Sequence, residues 1–188
     1  MERSEIELVV AAKAGDEQAF GRLYDLYVDK IYRYIYYKIF HTETAQDLTS
    51  QTFLKAYEKL ASFNESKGNF SSWVYTIAKN TLTDHFRSSK PTQEMNEAFD
   101  VSDLGKTRFQ HEMNADLTKV YDYIQTLDEV VRDVMILRLW EELSYREIAE
   151  IVGKKEDHSK VIFSRGLKEL RNKLPLELYA LLLLLTFH

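Results

Sequence analysis

Residues 143–153 read Leu143-Ser-Tyr-Arg-Glu-Ile-Ala-Glu-Ile-Val-Gly153. Ser144 and Glu147 stand three apart, the spacing at which each side chain satisfies the other's backbone N–H at the start of a helix. Ile148, Ala149 and Ile151 supply a buried face. Ala149 is small where two helices must approach closely. Gly153 can take the positive φ that a tight turn between helices requires. A longer helix is expected directly after it, over residues 155–173. The two together make a helix-turn-helix arrangement, whose second helix lies in the major groove of DNA.

The second helix carries suitable charge. Residues 154–173 hold seven basic side chains against three acidic ones, in a chain whose formal net charge is −5. Basic side chains bind phosphates and steer association. The residues expected to face base edges early in the helix are Lys155, Glu156, His158, Ser159 and Lys160. Arg146 on the first helix, with Ser164 and Arg165 further along the second, completes this candidate set. Glu156 and Asp157 count against tight phosphate contact there. The same pattern also builds ordinary helical hairpins with a solvated basic face, so both readings stand at this point.

Working outward, the chain has 188 residues with only 6 Gly and 2 Pro, and is 45% hydrophobic and 29% charged. Apolar residues recur at three- and four-residue spacing, and no run alternates with period two. The expected fold is all-α, in two small helical domains joined by an acidic linker. The Ser4 and Glu7 pair predicts a first helix ending at Gly15. Asp16 then caps a second helix to about Phe40, and Thr42 a third to about Leu60. Residues 64–69 form a loop by composition. Ser71 or Ser72 starts a fourth helix reaching about Arg87. Residues 1–90 are therefore read as one domain. Residues 91–114, with Pro91, Gly105 and five acidic residues, read as a linker. Residues 115–174 form the second domain, with helices over 116–126, 129–140, 144–151 and 155–173. Pro175 permits a terminal apolar helix over 176–187, expected to pack as an extra helix on the second domain.

Composition excludes several functions. Cysteine is absent, which removes disulfide scaffolds, Cys-ligated zinc, iron–sulfur clusters and thiol catalysis. The five His are scattered. No nucleophile–base pair, metal-ligand cluster or phosphate-binding glycine loop is visible, so no catalytic residue, metal or cofactor is expected. Residues 1–15 have no signal-peptide core, and the apolar tail is shorter than the roughly 20 residues of a spanning helix. A cytoplasmic location is expected, with membrane contact by the tail the disfavoured alternative.

Two further patterns lie in the first domain. In Asp47-Leu-Thr-Ser-Gln-Thr-Phe53, the residues Asp47, Ser50, Gln51 and Leu54 share one helical face. That face suits a docking partner; on the residues alone the favoured reading is an ordinary amphipathic helix with Leu48, Phe53 and Tyr57 in the core. The second pattern joins an apolar stripe (Phe70, Trp73, Ile77, Ala78) to a polar ladder (Asn80, Asp84, Arg87), with Lys79 beside it. Aromatics and amides next to basic residues suit single-stranded bases. The competing reading places Phe70 and Trp73 in the core. Most of the tyrosines of the second helix (Tyr24, Tyr27, Tyr32, Tyr34, Tyr36 and Tyr37) are read as core or edge packing.

With these motifs in order, the sequence resembles the sigma-70 family of bacterial transcription initiation factors, and within it the extracytoplasmic-function (ECF) type. The resemblance spans residues 12–174. The Asp47 to Phe53 stretch resembles the region that docks on the polymerase clamp, implying contacts from Asp47, Leu48, Ser50, Gln51, Phe53 and Leu54. The Phe70 to Arg87 pattern looks like the helix that melts and reads the −10 element. It implies DNA contacts from Ser66, Lys67, Gly68, Asn69, Phe70, Trp73, Lys79, Asn80, Asp84 and Arg87, with the loop at 66–69 accepting a flipped base. Flipping costs a few kcal/mol, which pocket contacts must offset. Residues 143–173 look like the module that reads the −35 element. The implied partners are core RNA polymerase and promoter DNA, with an anti-sigma factor expected and no small-molecule substrate. The acidic linker resembles a segment that occupies the polymerase's RNA path.

The sequence departs from the family in two places. Ser50-Gln51 stands where Gln-Glu is usual. The second helix opens Lys155-Glu-Asp-His-Ser159 where a Ser-x-Gly-Thr-Val type is usual, which predicts weaker packing of that helix. The rival function class is a helix-turn-helix regulator with an N-terminal sensor or interaction domain, which has no need of the Phe70 to Arg87 pattern. A helical interaction protein that binds no DNA is the other, and the basic 154–173 segment argues against it.

The overall acidity does not exclude nucleic acid. Residues 1–90 balance to zero, residues 91–114 sum to −3, and residues 115–188 sum to −2 while enclosing the basic helix. Such a chain is expected to bind promoter DNA weakly alone and well once polymerase adds positive surface.

Overall fold

The structure is a computed structural model that describes residues 4–66, 68–88 and 115–186. Among these residues every regular element is helical. The chain divides into two compact units.

The first unit contains α1 (Glu5–Lys13), α2 (Glu17–Ile39), α3 (Thr42–Lys59), a 3-10 turn (Leu60–Ser62) and α4 (Phe70–Ser88). Each start has a local cause. The Ser4 N–H donates to Glu7 Oε2 at 2.7 Å while the Glu7 N–H donates back to Ser4 Oγ at 3.4 Å. Asp16 Oδ1 accepts from the Ala19 N–H at 3.1 Å. The start of α3 differs from expectation: its cap is His41, whose Nδ1 accepts from the Thr44 N–H at 3.2 Å. Thr42 is instead the first helical residue. Helix α4 also starts earlier than expected. Asn69 Oδ1 accepts from the Ser72 N–H at 2.8 Å, so Asn69 is the cap and Phe70 the first residue.

Helix α2 is the hub of this unit, packing on α1, α3 and α4. Leu23, Ile31, Tyr34 and Ile35 of α2 are buried. Leu48 and Phe53 of α3 and Phe70, Val74, Tyr75 and Leu82 of α4, the helices packed on α2, are buried as well. Tyr34 and Tyr75 meet edge-on at 5.5 Å, a favourable aromatic geometry. Tyr27, Tyr34, Tyr36 and Tyr37 are all buried, in keeping with a packing role.

The second unit contains α5 (Ala115–Gln125), α6 (Glu129–Leu139), α7 (Tyr145–Val152), α8 (Glu156–Lys173) and α9 (Leu176–Thr186). Its centre is α6, whose Val134, Met135, Ile136 and Leu137 are fully buried. Helix α8 crosses α6 at Gly166. A Cβ there would lie 2.8 Å from Met135 Sδ and 3.0 Å from Val131 Cγ1, so a larger residue would force the buried Met135 side chain to shift. The apolar tail forms α9, which packs on α5, α6 and α8 and buries Leu178 and Leu182. No helix among the described residues is long and apolar enough to cross a membrane.

Candidate nucleic-acid interface

In the first unit, α3 sorts its predicted docking residues into two groups. Asp47, Ser50, Gln51 and Leu54 are exposed, Leu54 to 60%. Leu48 and Phe53 are buried, so they hold α3 on the bundle and cannot touch a partner directly. The expected place of Tyr57 is corrected. It is 49% exposed and lies edge-on to Phe20 at 5.0 Å, extending the outward apolar surface begun by Leu54. Its spacing from Leu54 is legible in the sequence, but a tyrosine at helical spacing reads as core by default, and its approach to Phe20 is tertiary.

The loop at residues 64–69 is tied at both ends. Its start is held by Lys13 of α1, whose half-buried Nζ donates to the Phe63 carbonyl at 2.9 Å and meets Glu65 Oε1 at 3.4 Å. Asn64 Oδ1 then accepts from the Ser66 N–H at 2.9 Å and from the Ser66 hydroxyl at 2.7 Å. The Ser66 hydroxyl is thus already engaged, and Asn69 Oδ1 is spent on the α4 cap. Lys67 lies outside the described residues. Gly68 is half-buried.

Beyond the loop, Phe70 belongs to the core, at 1% exposure. Its ring packs with Phe63 and Trp73 at 6.0 and 5.5 Å, and Trp73 stands half-buried at 5.1 Å from Phe63. Phe70 is therefore the floor under the loop and not a surface that a base can reach. Asn80, Asp84 and Arg87 are exposed along α4, and Lys79 is half-buried beside them. Asp84 Oδ2 lies 3.5 Å from Lys55 Nζ of α3, which also donates to Thr81 Oγ1 at 3.2 Å. One lysine thus joins the α3 and α4 faces.

In the second unit, the helix-turn-helix has the expected geometry. Ser144 caps α7 through a reciprocal box with Glu147, the Ser144 N–H donating to Glu147 Oε2 at 2.9 Å. Gly153 sits in the left-handed region at φ 67°. Helix α8 begins at Glu156, with Lys155 at the cap position and no side-chain cap there. Arg146, Lys155, Glu156, His158, Lys160, Ser164 and Arg165 are all exposed.

Ser159 is not on that surface. It is fully buried, and its hydroxyl donates to the Lys155 carbonyl at 3.4 Å. A hydroxyl that returns to its own helix can occupy an apolar slot. This also corrects the expectation of weak packing: Ser159, Ile162, Phe163, Gly166 and Leu170 all lie buried along one face of α8. Among the exposed charges, Lys160 Nζ lies 2.8 Å from Glu156 and 3.6 Å from Asp157. The bond to Glu156 holds the Lys160 ammonium above its ordinary pKa. Arg165 pairs with Glu169 at 3.0 Å, and Arg146 with Glu150 at 3.6 Å. Gly166 is the residue sequence reasoning missed, because its reason lies on another helix.

Comparison with known proteins matches these two units in order. Residues 23–92 match the Sigma-70 region 2 family, and residues 117–170 the Sigma-70, region 4 family. The ECF RNA polymerase sigma factor BldN of Streptomyces coelicolor is 37% identical over 175 residues, covering 90% of this chain and 66% of that protein. The chain thus spans about two thirds of BldN's length. The ECF RNA polymerase sigma factor SigW of Bacillus subtilis is 30% identical, covering 86% of this chain and 92% of that protein. The fold is similar to that of the sigma factor RpoE from Bartonella quintana, solved with the anti-sigma factor NepR. The TM-score there is 0.66 at 21% identity, covering 81% of this chain and 94% of that one. With both region models matched in sequence order and a 30% identical relative covered over nine tenths of its length, the chain belongs to the sigma-70 family, as an ECF-type RNA polymerase sigma factor.

Proposed function

We propose that the chain binds core RNA polymerase through the exposed face of α3 and directs the holoenzyme to a two-part promoter. Residues 1–90 form the docking and −10 module, residues 91–114 the linker, residues 115–174 the −35 module and residues 175–188 an appended tail. Asp47, Ser50, Gln51 and Leu54 make the docking contacts. Gly68, Lys67 and Trp73, with Lys79, Asn80, Asp84 and Arg87 of α4, engage the melted −10 strand. Arg146 of α7 and Lys155, Glu156, His158, Lys160, Ser164 and Arg165 of α8 face the −35 duplex. The polymerase supplies the chemistry, so the chain itself is no enzyme and needs no cofactor or small-molecule substrate. It works in the cytoplasm, where polymerase and promoter are, and an anti-sigma factor is its expected regulator.

The observation that carries this reading is the pairing of a helix-turn-helix, open and basic on its outward face, with the α3–α4 polar surface in one chain. Two weak DNA contacts joined by a linker raise each other's effective concentration. The test is retention of core polymerase by the tagged chain, followed by run-off transcription. Failure to retain core enzyme would sink the reading. The double substitution Asn80→Ala with Lys67→Ala is expected to leave polymerase binding intact and to lower open-complex formation about tenfold, the loss of roughly 1.4 kcal/mol in charge-assisted contacts. Equal loss of both activities would instead mean a misfolded first unit.

A further inference from the structure

Helix α8 exposes a single large apolar side chain, Val161, at 63%. It is the sixth residue of a helix that starts at Glu156. At 100° per residue it points away from the buried Ser159, Ile162, Phe163, Gly166 and Leu170. Its neighbours on the outward face are Asp157, His158, Ser164 and Arg165, all exposed. The flanks are cationic, with Lys154, Lys155 and Lys168 exposed as well. A branched apolar group in a polar, cation-flanked surface gains nothing from water.

We propose that Val161 is a specificity-determining residue that contacts the C5-methyl group of a thymine in the −35 duplex. This rests on the reading of α8 as the −35 helix. The N-terminal half of such a helix is the part that reaches base edges. Within the major groove, thymine alone presents a methyl group, and apolar side chains read it by contact. A partner base with only polar edges would leave Val161 buried against unmatched donors and acceptors, which costs free energy. Charged neighbours set the register: Lys160 is already occupied by Glu156 and Asp157, which keeps the base-facing start of α8 from becoming a uniform phosphate grip.

The test uses holoenzyme assembled from core polymerase and the full chain. Promoter fragments with a randomised −35 element are first selected for binding. Each thymine of the selected element is then replaced by deoxyuridine, which removes only the methyl group. For the wild-type chain, one replacement is expected to weaken binding about three- to fivefold, the scale of one buried methyl. In Val161→Ala the penalty at that thymine should vanish, and in Val161→Ile it should remain. Val161 is mostly exposed, so both variants should unfold at the wild-type temperature. If no thymine shows a penalty, or if Val161→Ala keeps it, the assignment of Val161 is overturned. If the holoenzyme enriches no DNA at all, the promoter-binding reading itself falls, and this proposal falls with it.

Discussion

The two candidate DNA faces are held in opposite ways. On the α4 side the ties are tertiary: Lys55 reaches from α3 to Asp84 and Thr81 of α4, and Lys13 reaches from α1 to the backbone carbonyl of Phe63 just ahead of the loop. On α7 and α8 the charges pair within their own helix, Lys160 with Glu156 and Asp157, Arg165 with Glu169, Arg146 with Glu150. Local pairs of this kind contribute only about 0.2–0.5 kcal/mol each and weaken with salt. They can be exchanged for phosphate at little cost. The contrast suits two tasks. A face that must hold splayed single-stranded bases benefits from a preset geometry, while a face that docks on a regular duplex can adjust its side chains on arrival.

The largest way to break this comparison is at the scaffold of the second face. Gly166→Val is expected to destabilise the second unit by about 1–3 kcal/mol through overpacking against Met135 and Val131. The first unit should be untouched. Each unit carries one of the two tryptophans, Trp73 and Trp140, so fluorescence of single-tryptophan variants in urea separates the two transitions. Next, Ser144→Ala removes a helix cap and should cost the second unit about 1 kcal/mol in the same assay. Third, Lys55→Met cuts the tie between α3 and α4. Because that ion pair is largely solvated, the expected stability loss is below about 1 kcal/mol. Its sharper readout is open-complex formation, which should fall while retention of core polymerase does not.

The smallest effect probes the local pairs. Glu156→Gln with Asp157→Asn frees Lys160. Holoenzyme affinity for promoter DNA should rise by about threefold or less, and the salt slope should steepen by about 0.9 for one added phosphate contact. No change in slope would show that Lys160 stays away from the backbone.

Much of the fold was legible because its signals are local. The Ser4–Glu7 and Ser144–Glu147 boxes, the Asp16 cap and the left-handed Gly153 each depend on residues a few positions apart. The misses share a different cause. His41 caps α3 although histidine is not among the usual capping residues. Asn69 carries a local role that its polar character does not announce: its side-chain Oδ1 accepts the Ser72 N–H and caps α4. Ser159 stands among the expected base-facing residues by its position, yet it is buried, with its hydroxyl satisfied within its own helix. Gly166 carries no local signal at all; its constraint is a sulfur atom thirty-one positions earlier. On α3, the spacing of Asp47, Ser50, Gln51 and Leu54 correctly marked an outward face, but spacing alone could not separate them from the buried Leu48 and Phe53.

The Lys13 contact has a consequence for exchanging parts among related proteins. The loop at 64–69 and α4 look like a portable cassette, contiguous in sequence and capped by its own Asn69. Yet the backbone where the loop begins hangs from an ammonium on α1, fifty positions upstream. A graft of residues 63–88 into a relative that lacks a lysine at the matching place on its first helix would import the side chains without their anchor. Under the proposed −10 role of this loop and helix, the transplant unit is therefore discontinuous: it must include α1.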